Sequence, residues 1–289
     1  MDVKTTIHGS EILVFVGQRT AWNDFQGYTC IGGRPENQDT LAYDMIQGKY
    51  QVFIVCDGMG GHAGGCVASY TAAAALLQSL REQPDDITVE EAITLAVNQA
   101  NSAVYTKSQD EPSLRGMGTT LTLLVIDSDA AYVTHIGDSR IYQLRNGHKL
   151  YRSTDHSMVF EQVAIGNLTE EEARQHPRAN ILSRAMGVLP DVEFTITKLA
   201  YHEDDRFILC SDGVWNSQPE EDIIKMFTAG PDLESMVKMT HETVERIGNE
   251  TNTSHDNHTM IAIDVLCDSH YQVSLFTKIK NLFNPKKQS

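Results

Sequence analysis

Hydrophobic positions along the chain follow two rhythms. Short, nearly unbroken apolar runs recur at "YQVFIVC" (50–56), "TTLTLLVID" (119–127), "AYVTHIG" (131–137), "RIYQLRNG" (140–147), "RFILC" (206–210) and "TMIAIDVL" (259–266). They are rich in β-branched and aromatic residues and end on Gly, Asp, Asn or Ser, which predicts strands. "IDSDAAY" (126–132) and "LRNGHKL" (144–150) predict tight turns between antiparallel neighbours. Between these groups the period lengthens. "VEEAITLAVNQANSAVY" (89–105) puts Val89, Ala92, Ile93, Ala96, Val97, Ala100 and Val104 on one helical face. Thr88 and Glu91 supply a capping-box signature at its start. Further helices are predicted at 66–80, at 168–176 (with Thr169 and Glu172 as a second capping box) and at 233–248. Strands in adjacent groups and helices in long pairs predict an α+β fold of antiparallel sheets covered by helices, not a parallel doubly wound sheet.

Length and composition narrow the class. The chain has 289 residues, 41% hydrophobic and 21% charged, with no internal repeat, so one globular domain is expected. A formal net charge of −16 argues against a nucleic-acid partner. The five cysteines are odd in number and form no CxxC pair, so neither a disulfide framework nor a structural zinc site is expected, and a reducing compartment is. Cys56 and Cys210, at the ends of apolar runs, read as small buried hydrophobes. "ILVFVG" (12–17) is too short for a signal sequence, and no run reaches the roughly 18 apolar residues of a membrane span. A cytoplasmic protein is expected.

The chemistry gathers at strand borders. Asp39 in "GGRPENQD", Asp57 in "CDGMGGH", Asp138 in "HIGDSRIY", Asp212 in "CSDGVW" and Asp256 in "SHDNHTM" each sit where a strand is predicted to begin or end. One such acid is usually a turn or cap residue. Five in this setting suggest carboxylates held together on rigid supports, which requires a cation. Oxygen ligands without thiolates favour Mg²⁺ or Mn²⁺. Gly58, directly after Asp57, would let a backbone carbonyl approach such an ion.

"RPENQD", "CDGMGGHAGG", "GMGTT", "IGDSRIY", "DHS", "LSRAMG", "CSDGVW" and "DN" occur in the order found in metal-dependent serine/threonine phosphatases of the protein phosphatase 2C type, and the chain resembles their bacterial branch from about residue 27 to about 266. The resemblance implies a β-sandwich flanked by helices on both sides, with two or three Mn²⁺ or Mg²⁺ ions at one end. It implies that Asp57 bridges two ions, that the Gly58 carbonyl completes one site and that Asp212 and Asp256 serve the other. Asp39 would lie beside them, and Asp138 would join Asp212 at a third, weaker site. The implied reaction is hydrolysis of phosphoserine and phosphothreonine on proteins by a metal-bridging water, opposing a bacterial Ser/Thr kinase. Arg34 matches the phosphate-binding arginine, whose guanidinium fork suits phosphate oxygens.

Some features depart from the pattern or stay open. Some relatives carry a general-acid histidine directly after Asp-Gly, where this chain has Met59. His62 is assigned as the catalytic histidine, with loop shaping as an equal alternative. Gln38 replaces the usual glutamate beside Asp39 and removes one negative charge. His156 reads as a structural hydrogen-bonder, and His255 and His258, which flank Asp256, read as surface loop residues, with tuning of the acidic site from behind as the alternative. Residues 1–26 form an N-terminal extension that can add an edge strand. Residues 27–267 form the catalytic domain, with a flap at about 157–183. Residues 268–289 form a basic amphipathic tail, which offers a membrane or partner contact or packs on its own domain. A monomer is expected. The rival readings are a non-enzymatic pseudophosphatase and a metal-dependent hydrolase of other phosphoesters.

Overall fold

The computed structural model describes residues 6–8, 13–20, 22–60, 64–84, 86–251 and 254–268. His62 and the tail from 269 onward lie outside the described residues. The elements run β1 (Thr6–His8), β2 (Leu13–Arg19), β3 (Asn23–Cys30), β4 (Asp39–Ile46), β5 (Tyr50–Met59), α1 (Gly64–Glu82), α2 (Val89–Asp110), β6 (Gly118–Thr119), β7 (Leu121–Ile126), β8 (Ala131–Ile136), β9 (Arg140–Arg145), β10 (His148–Arg152), α3 (Met158–Ala164), α4 (Glu170–Arg174), β11 (Thr197–Leu199), β12 (Asp205–Cys210), α5 (Asp212–Trp215), α6 (Glu220–Phe227), α7 (Leu233–Thr251) and β13 (His258–Val265). One sheet has the order β1-β4-β5-β7-β8-β11, with β6 paired to β5. The other has the order β10-β9-β12-β13-β3-β2, so β2 forms an edge.

Strand alternation builds the layers. In β5, Val52, Ile54 and Cys56 face α1 and α2, while Phe53 and Val55 face the opposite sheet. In β12, Ile208 and Cys210 face the helices on the other side, while Phe207 and Leu209 turn inward. In β13, Met260 and Ala262 join the outer cluster, and Ile261 and Ile263 the inner one. Two sheets back to back, each with helices outside, give four layers. The central strands β5, β7, β12 and β13 are apolar on both faces because both faces are covered. Cutting Phe53 to Ala at this centre would cost about 3–5 kcal/mol.

Both predicted capping boxes form, at Thr88–Glu91 and Thr169–Glu172. The run at 119–127 is not one strand. It breaks at Thr120, whose N–H donates to the Asp57 carbonyl (2.8 Å) and whose hydroxyl accepts from the Asp57 N–H (2.8 Å). The 168–176 helix shortens to Glu170–Arg174. At the far end of the β4–β5 pair, Gln47 and Gly48 both have positive φ, and Lys49 N donates to Ile46 O at 2.9 Å. That turn sets a register in which Asp39 lies opposite Asp57.

Candidate metal and phosphate site

The five acids meet at one end of the sandwich. Asp39 opens β4 and Asp57 lies near the end of β5, as a cross-strand pair whose side chains share a face. Asp212 opens α5 directly after β12, Asp138 precedes β9, and Asp256 precedes β13. Antiparallel order brings these distant positions together. Asp57 feels the charges of Asp39, Asp212, Asp256 and Asp138, and it lies within hydrogen-bonding reach of Asp212.

The backbone around the acids is tied down. Ser211 Oγ donates to Asp39 Oδ2 at 2.8 Å. Asn257 clamps the loop before Asp39: its Nδ2 donates to the carbonyls of Ile31 (2.7 Å) and Glu36 (2.9 Å), and its Oδ1 accepts from Gln38 N (2.9 Å). Thr119 Oγ1 donates to the Asp57 carbonyl at 2.9 Å, and Thr120 Oγ1 contacts Ser139 Oγ at 2.8 Å. The glycines permit close approach. A Cβ on Gly58 would stand 2.0 Å from the Gly65 carbonyl, and one on Gly213 would stand 2.1 Å from the Asn257 carbonyl. Trp215 Nε1 donates to the Asp138 carbonyl at 2.9 Å. Sequence reasoning assigned no role to Asn257, Ser211 or Thr120. The Thr, Ser or Asn beside four of the acids (Thr40, Ser139, Ser211 and Asn257) was the available signal.

The electrostatics are those of anions without enough counter-charge. Burial, then repulsion from Asp256 and Asp212, pushes Asp39 up to about 7 even though hydroxyl hydrogen bonds oppose it. Asp212 is likewise pushed up to about 7 by burial and by Asp256. Asp57 and Asp138 are raised well above the carboxylate range, first by burial and then by neighbouring acids. Asp39 Oδ1 and Asp212 Oδ1 are shielded from solvent and have no partner. Oxygen donors, orphaned lone pairs and a glycine-lined approach together fit hard divalent cations.

Arg34 reaches this end of the molecule. Its Nη2 donates to Asp256 Oδ2 at 2.9 Å, and both side chains are about half exposed. Gln38 lies against Gly65 at the start of α1. His156 is held as expected: its N–H donates to the Gly137 carbonyl, its Nδ1 accepts from Gly137 N at 3.3 Å, and its ring stacks on His135. His258 corrects the reading of a surface loop residue, because it is fully buried as the first residue of β13. His255 is also largely enclosed, with its side chain 11% exposed against α7. The segment 157–183 carries α3 and α4 and closes on itself through a Ser157–Leu182 bridge.

This arrangement defines a metal-dependent phosphoester hydrolase of the two-sheet sandwich type. Residues 26–256 match the family described as Protein phosphatase 2C, and the chain belongs to that family. The serine/threonine phosphatase stp of Listeria innocua is 36% identical over 198 residues, which is 66% of this chain and 79% of the relative. The solved serine/threonine phosphatase PstP/Ppp of Mycobacterium tuberculosis superposes with a TM-score of 0.70 at 30% identity, covering 89% of this chain and all of that one. The catalytic domain of PstP in complex with two manganese ions superposes with a TM-score of 0.68 at 29% identity, covering 88% of this chain and 98% of that chain.

Proposed function

We propose that this protein removes phosphate from phosphoserine and phosphothreonine in proteins, using Mn²⁺ or Mg²⁺ and opposing a Ser/Thr kinase in the cytoplasm. The observation that carries the reading is the set of acids crowded at one end of the sandwich with orphaned, shielded oxygens. Asp57, Asp212, Asp256 and the Gly58 carbonyl would hold two cations, with Asp39 beside them and Asp138 joining Asp212 at a weaker third. Bound there, the cations supply charge neutralisation and make a coordinated water acidic enough to serve as nucleophile near neutral pH.

The chain's own groups do the rest. Hydrolysis forms a bond from phosphorus to a water oxygen and breaks the bond to the serine or threonine oxygen, which leaves with a proton. Arg34 stands at the rim with a guanidinium suited to two phosphate oxygens. Its pairing with Asp256 keeps it there. Were Asp256 to hold a cation, the Arg34 guanidinium would be left to phosphate. Ser211, Asn257 and Thr120 hold the acids so that little reorganisation is needed when charge develops. His62 is the assigned proton donor. No helix among the described residues is long and apolar enough to cross a membrane.

The test is phosphate release from a phosphothreonine peptide with Mn²⁺, with Mg²⁺ and with chelator. Release is expected with either metal and absent with chelator. No release under any metal would make the protein a binding module instead.

A further inference from the structure

Behind the Arg34–Asp256 pair lies a second group of ligand-type side chains, of different chemistry. Cys30 ends β3. His241 and Glu245 are one turn apart on α7 and share a face. His255 sits in the loop before β13, and His258 begins that strand. The ligand atoms of Cys30, His241 and His258 lie within 4.8 Å of one another, as do those of Glu245, His255 and His258. His258 belongs to both triads.

The hydrogen bonding is overcrowded at one atom. Glu245 Oε1 faces Cys30 Sγ at 3.4 Å, His255 Nε2 at 3.2 Å and His258 Nε2 at 2.9 Å. A carboxylate oxygen has two lone pairs, so three donors exceed what it can accept well. A cation bound among them relieves that crowding by taking up their lone pairs. His258 also has the support typical of a metal-binding imidazole: its Nδ1 contacts the Tyr28 hydroxyl at 3.1 Å, which fixes the ring. The His255 ring is seated on Gly248, where a Cβ would stand 2.4 Å from Cγ. His241 Nδ1 and His255 Nδ1 are shielded from solvent with no partner. Glu245 is 28% exposed, which leaves a path for an ion.

We propose that Cys30, His241, Glu245, His255 and His258 form a binding site for Zn²⁺ or a similar borderline-soft cation, separate from the acidic site. Cys30, His241 and His258 supply three donors of a tetrahedral shell and Glu245, 3.4 Å from Cys30 Sγ and 2.9 Å from His258 Nε2, supplies the fourth; sulfur, nitrogen and oxygen together are zinc chemistry, whereas the all-oxygen acidic site is not. On binding, the Cys30 thiol gives its proton to solvent and its sulfur bonds the ion. The ion staples α7 to the ends of β3 and β13. It also fixes the loop carrying Asp256, because the His255 carbonyl accepts from Gly33 N at 3.0 Å in the segment that leads into Arg34. The absence of a CxxC pair gave no hint of this, since the donors are gathered by the fold from residues far apart in the chain.

The experiment uses the full chain, stripped with chelator, dialysed and then held in excess Mg²⁺. Co²⁺ is added as the spectroscopic probe. The expected result is one equivalent giving the strong visible bands of four-coordinate Co²⁺ and a thiolate charge-transfer band, both erased by Zn²⁺. Cys30→Ser should lose the charge-transfer band. His241→Ala, on the more open side, should weaken Co²⁺ binding by at least about tenfold. Asp57→Asn and Asp212→Asn should leave both signals intact. A weak six-coordinate spectrum in the parent chain overturns the proposal, as does a spectrum unchanged in His241→Ala or lost in Asp57→Asn. If Cys30→Ser fails to fold by circular dichroism, His241→Ala and Glu245→Gln decide: unchanged Co²⁺ affinity in both overturns the site.

Discussion

Asp138 and Arg140 are two residues apart, and on either side of them the protein treats enclosed charge in opposite ways. On the Arg140 side the charge is answered from within. Its Nε and Nη2 donate to both oxygens of Asp155 at 2.9 and 2.7 Å, Nη1 donates to Tyr142 Oη at 3.2 Å, and the guanidinium lies 3.5 Å from the Trp215 ring centre. Both partners are almost wholly buried. On the Asp138 side, carboxylates face one another: Arg140, committed to Asp155, offsets little of the repulsion at Asp138, and Arg34 is pledged to Asp256. Trp215 borders both regions, stacking under Arg140 and bonding the Asp138 carbonyl. The contrast separates structure from function. A charge meant to hold the fold is given its partner in the sequence. A charge meant to hold an ion is left short of one.

The sharpest break in the contrast comes from removing acids. Asp57→Asn and Asp212→Asn should each lower kcat/KM on a phosphothreonine peptide by about 10⁴-fold, roughly 5 kcal/mol of barrier. In chelator, however, neither should lower the melting temperature, because each removes a repelled charge. A melting point that drops as activity does would place these acids with Asp155 as structural groups.

Removing the internal partner should do the reverse. Arg140→Met strands Asp155 and should cost about 3–5 kcal/mol in urea unfolding. The double variant with Asp155→Leu should recover much of that loss. A single variant as stable as the parent would mean that the pair holds nothing.

Proton linkage gives a smaller effect of defined sign. In chelated protein, Asp39 and Asp212 ionise at about 7 in the fold, against about 4 when unfolded. The folded state therefore holds more protons between those limits. Its stability from these groups is full below about pH 4 and is lost as pH rises from there through about 7. Saturating Mn²⁺ should abolish that decline, since the ion takes the place of the protons. Melting curves at pH 5 and 7.5, with Mn²⁺ and with chelator, test it, and parallel slopes would refute it.

Arg34→Ala should have the mildest consequence, a rise in KM of about tenfold with kcat little changed, as the proposed hold on phosphate in ground and transition states alike requires. A collapse of kcat at constant KM would make Arg34 a transition-state group.

Much of this was legible in the chain, for identifiable reasons. Runs such as 206–210 and 259–266 are apolar on both faces because each strand has a sheet on one side and helices on the other, so their hydrophobicity is continuous and plain. The capping boxes are local and formed as read. Strands β3 and β4 were not found, since "NDFQGYTC" and "DTLAYDMI" interleave polar residues that only the sandwich covers. Arg140 was passed over, because nothing local distinguishes a buried bidentate arginine from a solvated one. Asp57, Asp138, Asp212 and Asp256 stand at the borders of strands that were found, and Asp39 was found through the "RPENQD" motif it ends. The hydroxyl and amide groups that aim them were not, because pairings such as Ser211 with Asp39 span 172 residues.

The turn at Gln47–Lys49 has a bearing on the acids at the other end of the molecule. Seven residue steps of strand, about 23 Å, separate it from the Asp39–Asp57 pair. Gly48 has open space where a side chain would go, so the turn can absorb changes in composition, with asparagine the easiest at its positive φ. A change in length differs where the closure between Ile46 and Lys49 is kept. One inserted residue slides β5 along β4 and, by the two-residue alternation of strands, swings Asp57 to the opposite face. The geometry of the acids thus depends on the spacing of a remote surface turn and hardly on its letters.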